Sequence, residues 1–98
     1  MTTLRIEHAI HDYPQWRTAF DGYAEARARA RVRDFAIRLP VDDQSYLSLD
    51  LEFDSSGDAQ AFADFLEQKV WISPATAPAL AGVPRTRILD RVDGDPGL

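Results

Sequence analysis

The chain has 98 residues, no cysteine and a formal net charge of −5 at pH 7. Its length supports one domain with one core, since two cores would each be too small to stand alone. The missing cysteine removes disulfides, thiolate nucleophiles and cysteine-built metal centres, and the acidic balance speaks against a general nucleic-acid binder, whose phosphate contacts need surplus Lys and Arg.

Met1 to Arg5 lead straight into charged sequence, without the apolar stretch of a secretory leader. Residues 3–10 then alternate, with Leu4, Ile6, His8 and Ile10 on one face and Arg5, Glu7 and Ala9 on the other. A period of two predicts a strand with one buried face. Asp12 starts a helix: its carboxylate can cap free N–H groups, Pro14 sits where a missing donor costs nothing, and Gln15 completes a capping-box spacing. Trp16, Phe20, Tyr23 and Arg27 follow at i, i+4, i+7 and i+11, which predicts an inward aromatic stripe over about four turns. Arg27, Arg29, Arg31 and Arg33 end that helix, where cations complement the carbonyl terminus and solvate a turn.

Phe35, Ile37 and Leu39 alternate with Asp34, Ala36 and Arg38, giving a second strand. Pro40 to Gln44 form a turn into the third strand, where Leu47, Leu49, Leu51 and Phe53 alternate with Tyr46, Ser48, Asp50 and Glu52. Ser55 and Asp58, then Ala59, Phe62, Phe65, Leu66 and Val70, describe a second amphipathic helix. Ser73-Pro74 is expected to restart a short helical piece that Gly82 and Pro84 end, and residues 86–92 to form the last strand.

The order β-α-β-β-α-β predicts an α+β, ferredoxin-like domain spanning 1–98, with its core in 3–92 and a frayed tail at 93–98. Right-handed crossovers put both helices on one face of a four-stranded antiparallel sheet. The other face carries Arg5, Glu7, Asp34, Arg38, Ser48, Asp50, Glu52 and Arg87, and is expected to form a homodimer. No apolar run approaches the ~20 residues that span a bilayer. The expectation is therefore a cytoplasmic protein without nucleic-acid or membrane partners.

Few residues offer chemistry. His8-x-x-His11 has poor metal geometry, because strand residues three apart point to opposite faces. His8 alone, on an apolar face, is either a core histidine bonded to a backbone or tyrosine partner or a pocket residue able to move a proton near neutral pH. Trp71, just past the second helix, either plugs the edge of the core or walls a cleft. No nucleophile elbow, paired-carboxylate motif or glycine-rich phosphate loop is present. A site, if built, is expected between sheet and helices. It would be lined by His8, Trp16, Phe20, Leu49, Phe53, Phe62 and Trp71, with His8 as acid or base.

The element order, the Leu-Asp-Leu-Glu-Phe-Asp-Ser join at 49–55 and the Trp-Ile-Ser-Pro segment at 71–74 resemble the antibiotic-biosynthesis-monooxygenase group of dimeric α/β barrels, over residues 3–92. The resemblance implies two ferredoxin-like subunits packed sheet against sheet, each with a pocket between its sheet and helices. That group includes cofactor-independent quinone-forming oxygenases and haem-degrading oxygenases. At the haem degraders' Asn, Trp and iron-ligating His this chain has His8, Trp71 and Ala81, so only the Trp is kept. At the polar Asn and the Trp of the quinone-forming type it has the apolar Leu49 and Phe53. These departures leave a pocket with one histidine and several aromatics, and no cofactor is expected. A protein that binds a small apolar or aromatic ligand is one reading. A cofactor-independent monooxygenase, cyclase or isomerase acting on an aromatic polyketide-like substrate is the other.

Overall fold

The computed structural model describes residues 1–94. Alternation at the N-terminus becomes β1 (Thr2–Ile10), and the two apolar-alternating segments that follow the first helices become β2 (Asp34–Arg38) and β3 (Tyr46–Phe53). β4 (Leu80–Asp90) closes the sheet. All neighbours pair antiparallel in the order β2-β3-β1-β4, so the fold is ferredoxin-like α+β. Leu4 lies opposite Leu51 and Ile88, Ile6 opposite Leu49 and Thr86, and His8 opposite Leu47. These rows form the face that the helices cover, and Leu4, Leu47, Leu51 and Phe53 are fully buried there. Each such side chain contributes roughly 1.5–3 kcal/mol by leaving water.

The helix layer begins with Asp12, whose carboxylate accepts from the Gln15 N–H at 3.0 Å. The long first helix expected from the stripe is instead two, α1 (Tyr13–Gly22) and α2 (Ala24–Arg29), broken at Tyr23. Gly22 is a poor helix former, and the Tyr23 N–H closes a tight turn on the Phe20 carbonyl at 3.1 Å. α2 ends in a Schellman motif: Arg31 takes φ 66°, and the N–H groups of Arg31 and Val32 donate to the Ala28 and Arg27 carbonyls, both at 3.1 Å. α3 (Ser56–Phe65) starts where the Ser55 hydroxyl accepts from the Asp58 N–H at 3.2 Å. It runs on through a wider π turn over Leu66–Val70, where the Trp71 N–H reaches back to the Leu66 carbonyl at 2.8 Å.

Two further expectations are corrected. Residues 71–79 make turns rather than a helical piece, and β4 starts at Leu80 rather than 86 and stops at Asp90 rather than 92. Gly82 and Pro84, expected to end a helix, lie inside this strand. Glu7 pairs with Arg85 and Ala9 with Ala81, so Gly82, Val83 and Pro84 together oppose His8 alone. Such a bulge at a sheet edge accepts a glycine at φ 76° and a proline without an N–H, because the ladder is already interrupted. Phe35 shares the covered face as expected, but β2 is the opposite edge of the sheet. The ring stays 40% exposed, edge-on to Phe20 at 5.0 Å.

The second sheet face carries the charged residues that alternation assigned to it and, among the described residues, has no helix over it. No helix among the described residues is long and apolar enough to cross a membrane. Of the tail expected to fray, Asp93 and Gly94 are exposed and belong to no element, and 95–98 lie outside the described residues.

Candidate functional site

A cavity of about 80 Å³ lies between the covered sheet face and the helix layer. Ile6, His8 and Leu49 form its floor, Trp16 and Phe20 of α1 one wall, and Phe62 and Trp71 the other. Of the residues expected to gather here, Phe53 alone stays out. It is fully buried one row further along β3, with its ring tilted against Phe62 at 6.0 Å. The roof is the 71–79 segment, which side chains tie down. The Tyr23 hydroxyl donates to the Thr76 carbonyl at 2.9 Å, and the Thr76 hydroxyl to the Val70 carbonyl at 2.5 Å. The His11 N–H holds the far end through the Ala79 carbonyl at 3.0 Å. The residue at the break between α1 and α2 thus has a second contact, its phenol meeting the roof.

His8 is 4% exposed. Its Nδ1 lies 2.8 Å from the Ala9 carbonyl oxygen. A carbonyl only accepts, so Nδ1 carries the proton and the neutral ring keeps its lone pair on Nε2. Among the described residues no other hydrogen bond reaches the ring, and no side-chain nitrogen or oxygen is both buried and unpaired. Nε2 therefore retains access to the space beside it, and His8 lines the cavity. Burial pushes the imidazole below its ordinary 6.5, against the opposing pull of the Ala9 carbonyl, so the ring is neutral at pH 7. What the geometry offers is a neutral imidazole with one free acceptor, 6.3 Å from Trp16 between ring centroids.

Arg27, Tyr23 and Thr76 also line the cavity, and sequence reasoning gave them no part in a site. The signal was there for two of them, because Tyr23 and Arg27 occupy i+7 and i+11 of the inward stripe. The arginine run around Arg27 drew the reading towards a helix terminus instead. The guanidinium leaves that terminus, donates to the Phe20 carbonyl and lies 3.6 Å from the centre of the Phe20 ring.

The open sheet face holds a separate charge cluster. Asp50, 8% exposed, receives Arg5 Nε and Nη2 at 2.9 and 3.0 Å and Arg38 Nη1 at 3.2 Å. The Arg5 hydrogen bonds hold the Asp50 carboxyl below its ordinary 3.8 despite burial. Beside it the Thr3 hydroxyl donates to Glu52 at 2.5 Å. Among the described residues no three His, Asp or Glu side chains gather as metal ligands, and His11 is exposed beyond β1. Ala81 pairs in β4 with Ala9.

No protein-family model matches the sequence. No curated protein matches it either. Solved structures do match. A protein from Nitrosomonas europaea assigned as an antibiotic biosynthesis monooxygenase is 17% identical, with TM-score 0.68 over 93% of this chain and 89% of that one. One from Bordetella bronchiseptica with the same assignment is 13% identical, with TM-score 0.68 over 93% and 97%. A dimeric ferredoxin-like protein from an uncultured marine organism is 9% identical, with TM-score 0.62 over 96% and 97%. Most of each chain superposes at identities this low, so what the sequence shares with these antibiotic biosynthesis monooxygenase-like and dimeric ferredoxin-like proteins is their fold.

Proposed function

We propose that this chain binds a small aromatic molecule between its sheet and its helices, as one subunit of a homodimer formed through the open sheet face. The observation that carries the reading is the free Nε2 acceptor of a neutral His8 on the floor of a cavity walled by Trp16, Phe20, Phe62 and Trp71. Such a ring of aromatic surface with a single placed polar group suits a phenol, which would stack on the walls and donate its hydroxyl to Nε2. The size also matters. A dry cavity of about 150 Å³ accommodates benzene, so a single ring would fill the enclosed space and extend into the cavity's open side. Isothermal titration with single-ring phenols tests this: binding that weakens in His8→Phe supports it, and a panel of phenols with no heat of binding sinks it.

The dimer draws support from charge as well as from the dimeric ferredoxin-like neighbour. Under two-fold symmetry a surface must complement itself, so it needs both signs. On the open face both signs are present throughout, with Asp34, Arg38, Asp50 and Glu52 on β2 and β3 and Arg5, Glu7, Arg85 and Arg87 on β1 and β4. Sedimentation at micromolar concentration giving only the single-chain mass would end this part of the proposal.

A second reading is enzymatic, and the His8 tautomer favours it. Nε2 is placed to take a phenolic proton, after which dioxygen can oxidise the phenolate ring. One ring C–H becomes C=O, the phenolic C–O becomes the second C=O, and one molecule of water leaves, so phenol plus dioxygen balances quinone plus water. Larger, polyketide-like phenols would need the roof fully open. Oxygen uptake with such phenols that disappears in His8→Ala would establish this reading, whereas binding without uptake leaves the chain a binding protein.

A further inference from the structure

Among the described residues, Arg27 is the one charged side chain that lines the cavity. It is partly buried, and burial works against its charge. Arg5, Arg17, Arg29, Arg33 and Arg38 each have a carboxylate within ion-pair distance, whereas Arg27 has none among the described residues. Its one acceptor is the Phe20 carbonyl, which Nη1 reaches. A guanidinium presents five N–H donors in a plane, so most of this group is left without an acceptor. Its central carbon also lies 3.6 Å from the centre of the Phe20 ring, which holds the group against the cavity wall. Phe20 stacks on Trp16 at 5.0 Å and 17°, and Trp16 meets His8 at 6.3 Å. One wall of the cavity is therefore a row of rings with a hydrogen-bond acceptor at one end and an unpaired planar cation at the other.

We propose that the ligand is an aromatic acid, a planar ring whose carboxylate or equivalent anion is taken by Arg27 while the ring lies along Trp16 and Phe20. The inference rests on the ligand-binding reading above and adds the charge of the ligand to it. Guanidinium and carboxylate match as planar forks, which gives both strength and orientation. The chain as a whole is acidic, so an anion gains nothing from the general surface. Recognition must come from this local cation. The same contact spans the Tyr23 break, because Arg27 of α2 reaches the carbonyl and ring of Phe20 in the last turn of α1.

Both tryptophans of the chain, Trp16 and Trp71, line the cavity, so their fluorescence reports its occupancy directly. The test compares 4-hydroxybenzoate with its neutral isostere 4-hydroxybenzamide on the unaltered chain, by tryptophan fluorescence and by calorimetry. The acid is expected to bind at least about tenfold more tightly, the scale of one hydrogen bond to a charged group. Arg27→Met keeps a stem to cover Phe20 but no charge. It should remove the preference and leave the affinity for the amide within about twofold, while Arg29→Gln, exposed on the same helix, should leave both affinities as they are. Equal binding of acid and amide by the unaltered chain overturns the inference and leaves the ligand-binding reading standing. So does a preference that survives in Arg27→Met. Binding of neither probe overturns both. If circular dichroism shows Arg27→Met unfolded, the acid-to-amide ratio of the unaltered chain decides alone, and Arg27→Lys should keep the preference.

Discussion

The two faces of the sheet solve opposite problems with the same strands. On the covered face, Leu4, Ile6, Leu47, Leu49, Leu51 and Phe53 stack under the helices, and stability comes from area removed from water. On the open face the intervening residues pair across strands: Arg5 and Arg38 converge on Asp50, and Thr3 meets Glu52. One face is therefore sensitive to volume and the other to charge. The cavity occurs where this division is broken, at the single imidazole that stands in the apolar rows.

The sharpest test of the division is Phe53→Ala. The ring is fully buried and does not itself line the cavity, meeting it only through the back of Phe62, so its loss should cost about 3–5 kcal/mol of stability and change ligand affinity far less in whatever fraction folds. Urea unfolding measures the first and fluorescence titration the second. A loss under about 1 kcal/mol would mean that the covered face is not packed as described.

Asp50→Ala should cost less, about 1–2 kcal/mol. That lies between an exposed and a buried ion pair, because the guanidiniums of Arg5 and Arg38 sit on side chains 45% and 65% exposed. If the open face joins two copies, the same substitution should also raise the concentration at which the dimer falls apart. A variant that loses stability with no change in sedimentation would confine the cluster to a role within one chain.

The smallest effect is a difference in pH dependence. The folded His8 value lies below the 6.5 of the unfolded chain, so below about pH 6.5 the unfolded chain binds the extra proton. The stability associated with the neutral ring is complete above that pH and falls as the pH is lowered towards the folded value. Asp50 acts in the same direction but lower, its contribution being present above 3.8 and lost as the pH falls through its depressed folded value. Urea midpoints at about pH 7.5 and about pH 5.5 should therefore diverge for the unaltered chain and converge for His8→Phe. Parallel behaviour of the two proteins would show that His8 is not desolvated.

Alternation and helical spacing made most of this fold legible, because both faces of β1 and β3 announce themselves every second residue. β4 was harder. Leu80 to Asp90 is a half-exposed edge strand with a bulge, so its pattern is diluted where Gly82 and Pro84 stand, and both residues normally signal an end. The turn structure of 71–79 was missed because Ser73-Pro74 has the chemistry of a helix start without the length of apolar repeat to continue one. Of the residues expected to line a site, those on regular elements lie around the cavity except Phe53, which stands one row further along β3. Arg27 was hidden for a different reason. Its place on the inward stripe was legible, but the arginine run around it has the chemistry of a helix terminus, and its contact with Phe20 is made across a break that the stripe does not mark.

The bulge in β4 has one more effect, on what the sheet can recruit sideways. Outer strands offer unpaired backbone groups to any passing strand, and a flat, apolar one invites fibrous growth. Here one border carries Pro84, with no N–H to give, in a segment whose ladder is already out of step. The other border is only five residues long and has Asp34 and Arg38 at its two ends. The irregularity beside His8 thus also serves as a guard, making lateral addition of a further strand unfavourable along both margins of the sheet.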